Sequence, residues 1–138
     1  MEYTLHYLLM ADHAMLQKTL FADIKSLELS LGQPKVLDFL KDHNGAVQKD
    51  IAKGCHIEPA SLSTILAGME KNGLITRQMS ENNRRNLYVY MTDKGKAICR
   101  QITKHFSEIE KKALSGFTQE ETENILTYLT KIYKNLEA

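Results

Sequence analysis

The stretch Gln48-Lys-Asp-Ile-Ala-Lys-Gly-Cys-His-Ile-Glu-Pro-Ala-Ser-Leu-Ser-Thr-Ile-Leu-Ala-Gly-Met-Glu-Lys-Asn-Gly73 decides the fold. It holds two short helical patterns close together. From Gln48 to Cys55 the inward residues are Ile51 and Ala52. From Pro59 to Asn72, Leu62, Ile65, Leu66 and Met69 recur at the three-and-four spacing of one helix face. Gly54 and the segment around His56-Ile57-Glu58 link the two. Pro59 suits a first helical turn, and Gly73 ends the second helix at a position suited to a left-handed cap. Two helices joined this tightly describe a helix-turn-helix.

Downstream the period changes to two. Leu74 to Gln78 reads as a strand, and in a second strand Leu87, Val89 and Met91 alternate with Tyr88 and Tyr90. Ser80-Glu-Asn-Asn-Arg-Arg-Asn86 between them is polar and rich in turn formers, so the pair is a hairpin with a charged tip, a wing. Thr92 then caps a helix whose stripe is Ile98, Ile102, Phe106 (or His105), Ile109 and Ala113. Thr118-Gln-Glu-Glu121 is a capping box, and Ile125, Leu129, Ile132 and Leu136 mark one face of the helix behind it.

Upstream, Leu5, Leu9, Leu16 and Leu20 keep a helical rhythm that Ile24, Leu27 and Leu31 continue, which predicts one long first helix ended by Gly32. Pro34 starts a second helix carrying Val36, Leu37 and Leu40, and His43-Asn44-Gly45 closes it. The expected architecture is mainly α with a small β-hairpin wing, an α+β winged helix-turn-helix in a single domain over residues 1–138. Residues 33–95 form the winged helix-turn-helix, and residues 1–31 and 96–138 supply flanking dimerisation helices.

Composition narrows the function classes. Hydrophobic residues at 43% and charged residues at 25% suit a folded core rather than disorder. The formal net charge is +1, so a nucleic-acid surface has to be a local patch. No apolar run approaches the roughly 18 residues that span a bilayer, so no membrane partner is expected. The N-terminal residues lack a basic leader, so no signal peptide is expected. Cys55 and Cys99 form no paired motif and are expected as reduced thiols in a cytoplasmic protein. No Ser/His/Asp arrangement, glycine-rich phosphate loop or paired acidic motif proposes a reaction, which argues against an enzyme. His6, His13, His43, His56 and His105 lack metal-ligand spacing, and no metal or other cofactor is expected.

Over nearly its whole length the chain resembles the MarR family of bacterial transcriptional regulators. Val47-Gln-Lys-Asp-Ile-Ala52 resembles that family's entry to the helix-turn-helix, and Ser61 to Ile75 its recognition helix and exit turn. Asn83-Arg-Arg-Asn-Leu-Tyr-Val-Tyr-Met-Thr-Asp-Lys-Gly95 is similar to its wing, second strand and following helix cap. The resemblance implies a homodimer that binds near-palindromic operators in double-stranded DNA, commonly as a repressor. It also implies release by a small aromatic effector or by oxidation. Neither cysteine occupies the early first-helix position that peroxide-sensing members use, and no effector-binding residue can be named from the sequence.

The DNA-reading residues follow from position. With its apolar face turned inward, the second helix of the motif offers Ser61, Ser63, Thr64 and Gly68, whose hydroxyls can bond bases or phosphates. On an unrelated helix the same residues would serve only solubility. The family usually carries arginine where Thr64 stands, and often again at Gly68. A bidentate arginine on guanine is worth about 1–3 kcal/mol of discrimination, so its loss softens direct readout. Val47 replaces the family's polar cap, which forgoes about 1 kcal/mol. Arg84 and Arg85 at the wing tip suit a narrow minor groove. Arg85 matches the family's wing arginine, while Asn83 stands where the family has aspartate. Gln48, Lys49, Lys53 and Arg77 are candidates for phosphate contacts that position without reading sequence.

One subunit would contact few base pairs, so twofold pairing is expected, through Leu5 and Leu9 in front and Ile125, Leu129, Ile132 and Leu136 behind. The competing reading is a winged-helix module that binds protein instead of DNA. Arg84 and Arg85 discriminate, since a protein-binding wing has no need of them.

Overall fold

The computed structural model describes residues 2–80, 82 and 86–137. Among them are six α-helices and one antiparallel hairpin: α1 (Leu5–Asp23), α2 (Gln33–His43), α3 (Gln48–Cys55), α4 (Pro59–Lys71), β1 (Ile75–Met79), β2 (Leu87–Met91), α5 (Asp93–Ala113) and α6 (Gln119–Glu137). The chain divides into two compact units, residues 1–106 and 107–138.

Local chemistry sets most of the boundaries. The Thr4 hydroxyl accepts the amide of Tyr7 at 3.3 Å and caps α1. The first helix does not run to Gly32 as its leucine rhythm predicts. It stops at Asp23, a short 3-10 turn follows at Lys25–Leu27, and Glu28 takes the left-handed region at φ 55°. No helix passes through that conformation, so the four-three-four spacing of Leu20, Ile24, Leu27 and Leu31 spans a break, and Leu31 is left 72% exposed. Gly32 caps the start of α2 instead, at φ 90°.

The core of the first unit gathers Val36, Leu37 and Leu40 from α2, Ile51, Ala52 and Cys55 from α3, and Leu62, Leu66 and Met69 from α4. Leu74, Ile75, Val89, Cys99 and Ile102 close it from the hairpin and α5. Val36, Leu37, Leu40, Ile51, Ala52, Leu62, Leu66, Met69, Val89 and Ile102 are inward positions that the helical and alternating patterns mark; Cys55, Leu74, Ile75 and Cys99 join them from outside those patterns, and Ile65 is only partly buried, packed against Gly32.

Gly54 is not a linker residue. It lies inside α3, where a Cβ would run into the ring of Phe39 on α2, so glycine is what lets the two helices close. The turn itself is made by His56 at φ 54°, with the amide of Ile57 reaching back to the carbonyl of Ala52 at 3.0 Å. Gly73, at φ 74°, ends α4 in the same way, with Leu74 bonded to the carbonyl of Met69 at 2.9 Å.

The hairpin pairs Ile75 with Met91 through to Met79 with Leu87. A third edge, absent from the sequence reading, lies beside β2. Gly45 donates to the carbonyl of Val89 (2.8 Å), Val89 donates to Ala46 (2.9 Å), and Asn44 Oδ1 accepts the amide of Met91 (2.8 Å). At the far end, Thr92 Oγ1 accepts the amide of Gly95 (3.0 Å) and donates to the carbonyl of Gly73 (2.6 Å), tying the start of α5 to the end of α4.

In the second unit the predicted capping box is present. Glu121 donates its amide to Thr118 Oγ1 at 3.1 Å, and its carboxylate accepts the amide of Thr118 at 2.9 Å.

Candidate nucleic-acid interface

The outward face of α4 carries Ser61, Ser63 and Thr64, all exposed. Thr64 Oγ1 leans back on the carbonyl of Ala60 at 3.5 Å. Among the described residues the hydroxyls of Ser61 and Ser63 have no protein partner, so they are free to donate or accept. Gly68 departs from the outward set, because its Cβ position lies 3.4 Å from Gln33 Nε2, against the buried start of α2.

Val47 occupies the cap position of α3 and makes no side-chain capping bond. The first-turn amides of Gln48 and Lys49 therefore lack a side-chain partner, and a helix start in this state favours an anion such as phosphate. Lys49 and Lys53 are exposed on the same short helix.

Arg77 is differently placed from the free phosphate ligand that its sequence position suggests. Its Nη2 sits 3.2 Å from Glu70 Oε1, and its Nη1 donates to Gln48 Oε1 at 3.5 Å, with the side chain 19% exposed. The guanidinium thus links the strand before the wing to the end of α4 and the start of α3. Sequence reasoning missed Glu70. The available signal was an acid in the last turn of a helix, where the helix dipole disfavours it unless a cation stands by.

Asn83, Arg84 and Arg85 lie outside the described residues. Beside them, Asn82 is exposed and donates its amide to Ser80 Oγ at 3.2 Å, and Asn86 is half-buried.

The proposed dimer residues divide by position. Leu5 (57%) and Leu9 (38%) are exposed on α1, where only Leu20 is buried. On α6, Leu129 (41%) and Leu136 (76%) are exposed, and Ile125 and Ile132 are half-buried.

Neither cysteine is poised for redox chemistry. Cys55 is buried with Sγ 3.6 Å from the carbonyl of Lys35, and burial pushes its thiol up to about 11, partly offset by Lys35. Cys99 is buried with Sγ 3.3 Å from the carbonyl of Leu37, and its pKa is also raised by burial. A protonated thiol is a poor nucleophile. Among the described residues no group of three or more His, Cys, Asp or Glu could hold a metal ion, and no helix is long and apolar enough to cross a membrane.

A family profile described as "MarR family" matches residues 29–87. Among curated proteins, the chain is 30% identical over 118 residues to the HTH-type transcriptional regulator YybA of Bacillus subtilis, covering 83% of this chain and 77% of that protein. Among solved structures, it is similar to a MarR family regulator from Listeria monocytogenes complexed with 26mer DNA. The TM-score there is 0.90 at 26% identity, covering 99% of this chain and 90% of the other. It is also similar to MepR of S. aureus in a DNA complex, with a TM-score of 0.86 at 29% identity over 98% and 99% of the two chains.

Proposed function

The chain belongs to the MarR family of winged helix-turn-helix transcriptional regulators, a family of DNA-binding proteins rather than enzymes, and on that footing we propose how it binds. It acts as a homodimer in the cytoplasm and represses transcription from a near-palindromic operator. Each α4 enters a major groove with Ser61, Ser63 and Thr64 towards the bases. The start of α3, with Gln48 and Lys49, meets a phosphate. Asn83, Arg84 and Arg85 of the wing reach the flanking minor groove. Arg77 contributes by holding α3, α4 and β1 in register.

The observation that carries this reading is the pair of exposed, unpartnered hydroxyls of Ser61 and Ser63 on α4 beside an α3 start without a side-chain cap. Dimerisation is supported by α1, whose apolar side chains point all round the helix while only Leu20 is buried. A helix of that composition normally has packing on every side. Release by a small aromatic effector is supported by a pocket of about 380 Å³ between α1 and the helix-turn-helix. It is lined by His13, Gln17, Lys35, Ile57 and Ile65, among others, and its volume suits a small ligand.

Selection of bound sequences from random duplex DNA tests the proposal. A symmetric pair of half-sites is the expected result, and no enrichment over the input pool would refute it. In a mobility-shift assay on the selected duplex, Arg85→Ala is expected to abolish the shift at moderate salt. Unchanged binding removes the wing from the interface. The reading as a protein-binding module draws on one observation: among the described residues, the exposed face of α4 before Glu70 carries no cation. The same selection decides between the two.

A further inference from the structure

The base that α4 reads is constrained by the groups its outward face lacks and by the way Thr64 is turned. Ala60, Ser61, Ser63, Thr64 and Ala67 are exposed there, with no arginine, lysine, asparagine or glutamine among them. Guanine presents two acceptors, best matched by the fork of an arginine or by a lysine. Adenine presents an acceptor and a donor, best matched by a carboxamide. Neither kind of partner stands on this face. Cytosine presents a donor suited to a carboxylate, but the acid within α4 is Glu70, whose Oε1 is held by Arg77 Nη2 at 3.2 Å. Thymine is left, the base that carries a methyl group in the major groove.

Thr64 has a methyl placed to meet it. Its Oγ1 is turned back on the carbonyl of Ala60 at 3.5 Å. The substituents on Cβ take staggered positions, so with Oγ1 against the helix, Cγ2 is the heavy atom left to face outward on this exposed residue. Ala60 and Ala67 share the face at helical spacings of four and three, and extend its apolar surface to either side. The free hydroxyls of Ser61 and Ser63 supply donors beside it.

On the reading that α4 enters a major groove, we propose that Thr64 determines specificity through its methyl. In each half-site Cγ2 packs on the C5-methyl of a thymine, so the operator is chosen by thymine methyls rather than by guanine.

The test uses the full chain and the duplex that emerges from selection, with uracil replacing thymine at one symmetric pair of half-site positions at a time. Uracil keeps the base pair and the phosphates and removes only the methyl. Burying one methyl is worth about fourfold in affinity. One such pair, met by two subunits, is therefore expected to weaken binding about tenfold or more, with an unchanged salt dependence because no phosphate contact is lost. Thr64→Ser deletes the side-chain methyl alone. It should lose a similar factor on the thymine duplex and become insensitive to uracil at that pair. Thr64→Val returns the methyl without the hydroxyl and should recover most of what Thr64→Ser loses. The proposal is overturned if no uracil pair weakens binding, if Thr64→Val binds as weakly as Thr64→Ser, or if Thr64→Ser keeps the full uracil penalty. These results are read on a duplex the chain binds, so they leave operator recognition by α4 standing. A selection that enriches nothing removes that recognition and the thymine contact together.

Discussion

Arg77 shows how one side chain can be visible in the sequence while its role is not. Its position after the helix-turn-helix marks it as a cation near DNA, but Glu70 and Gln48 meet it only because the Gly73 turn and the packing of α3 bring them there. No periodicity encodes a pairing 29 residues apart. If Glu70 restrains the guanidinium, Glu70→Gln releases it towards the DNA backbone. The logarithmic salt dependence of binding should then steepen by about one unit per chain. Equal slopes for the variant and the parent would show that Arg77 reaches no phosphate even when freed. The two thiols yield a second prediction at this scale. Burial raises the Cys55 pKa to about 11 and that of Cys99 in the same direction, so the folded chain holds these protons more tightly than the unfolded chain. Their contribution to stability is therefore fully present below the ordinary thiol pKa and is lost as pH rises through the folded values. Denaturant midpoints measured upward from neutral pH should fall across that alkaline window, and Cys55→Ala should flatten the fall. A midpoint as steep in the variant as in the parent assigns the loss to other groups.

Among the elements, the sequence was most legible where a cap or a period speaks locally. Pro59, Gly73, Thr92 and the Thr118–Glu121 box lie where their side-chain chemistry puts them. The end of α1 was illegible because Leu27 and Leu31 keep helical spacing across a left-handed residue, Glu28, that carries no glycine or proline to announce it. The 44–46 edge was illegible because so few residues cannot show alternation. On the interface, the α4 hydroxyls were legible from the inward leucines opposite them. Gly68 was misread because its neighbour Gln33 comes from α2. Gly54 has the same cause and allows a test. In an isolated helix Gly54→Ala would stabilise by about 1 kcal/mol. In α3 the added methyl meets the Phe39 ring, and overpacking costs typically 1–3 kcal/mol. The second effect should win, lowering the denaturation midpoint. A midpoint that rises would mean that Phe39 swings aside freely.

At the scale of the whole molecule, the question is what covers the apolar surface that a single chain leaves open. Tyr3, Leu5, Leu8, Met10, Met15 and Leu16 are exposed at one end of the sequence, and Leu126, Tyr128, Leu129, Tyr133 and Leu136 at the other. Scattered exposed apolar residues are ordinary, but runs of this density on two helices mark an interaction surface. In the dimer proposed above a second copy of the chain covers this surface, and twofold pairing would set two α4 helices against successive major-groove faces, about 34–36 Å apart. Leu9→Lys and Leu129→Lys test the two ends separately, as each places a charge on surface already exposed in one chain and so spares the core. Either variant should sediment with the mass of one chain while keeping its helical circular dichroism. Losing the linked second half-site should reduce operator affinity by about a hundredfold or more. A variant that remains a dimer clears its helix of the interface. A monomer that binds the operator as tightly as the parent would show that one α4 and one wing suffice, and the coupling between pairing and DNA recognition would have to be given up.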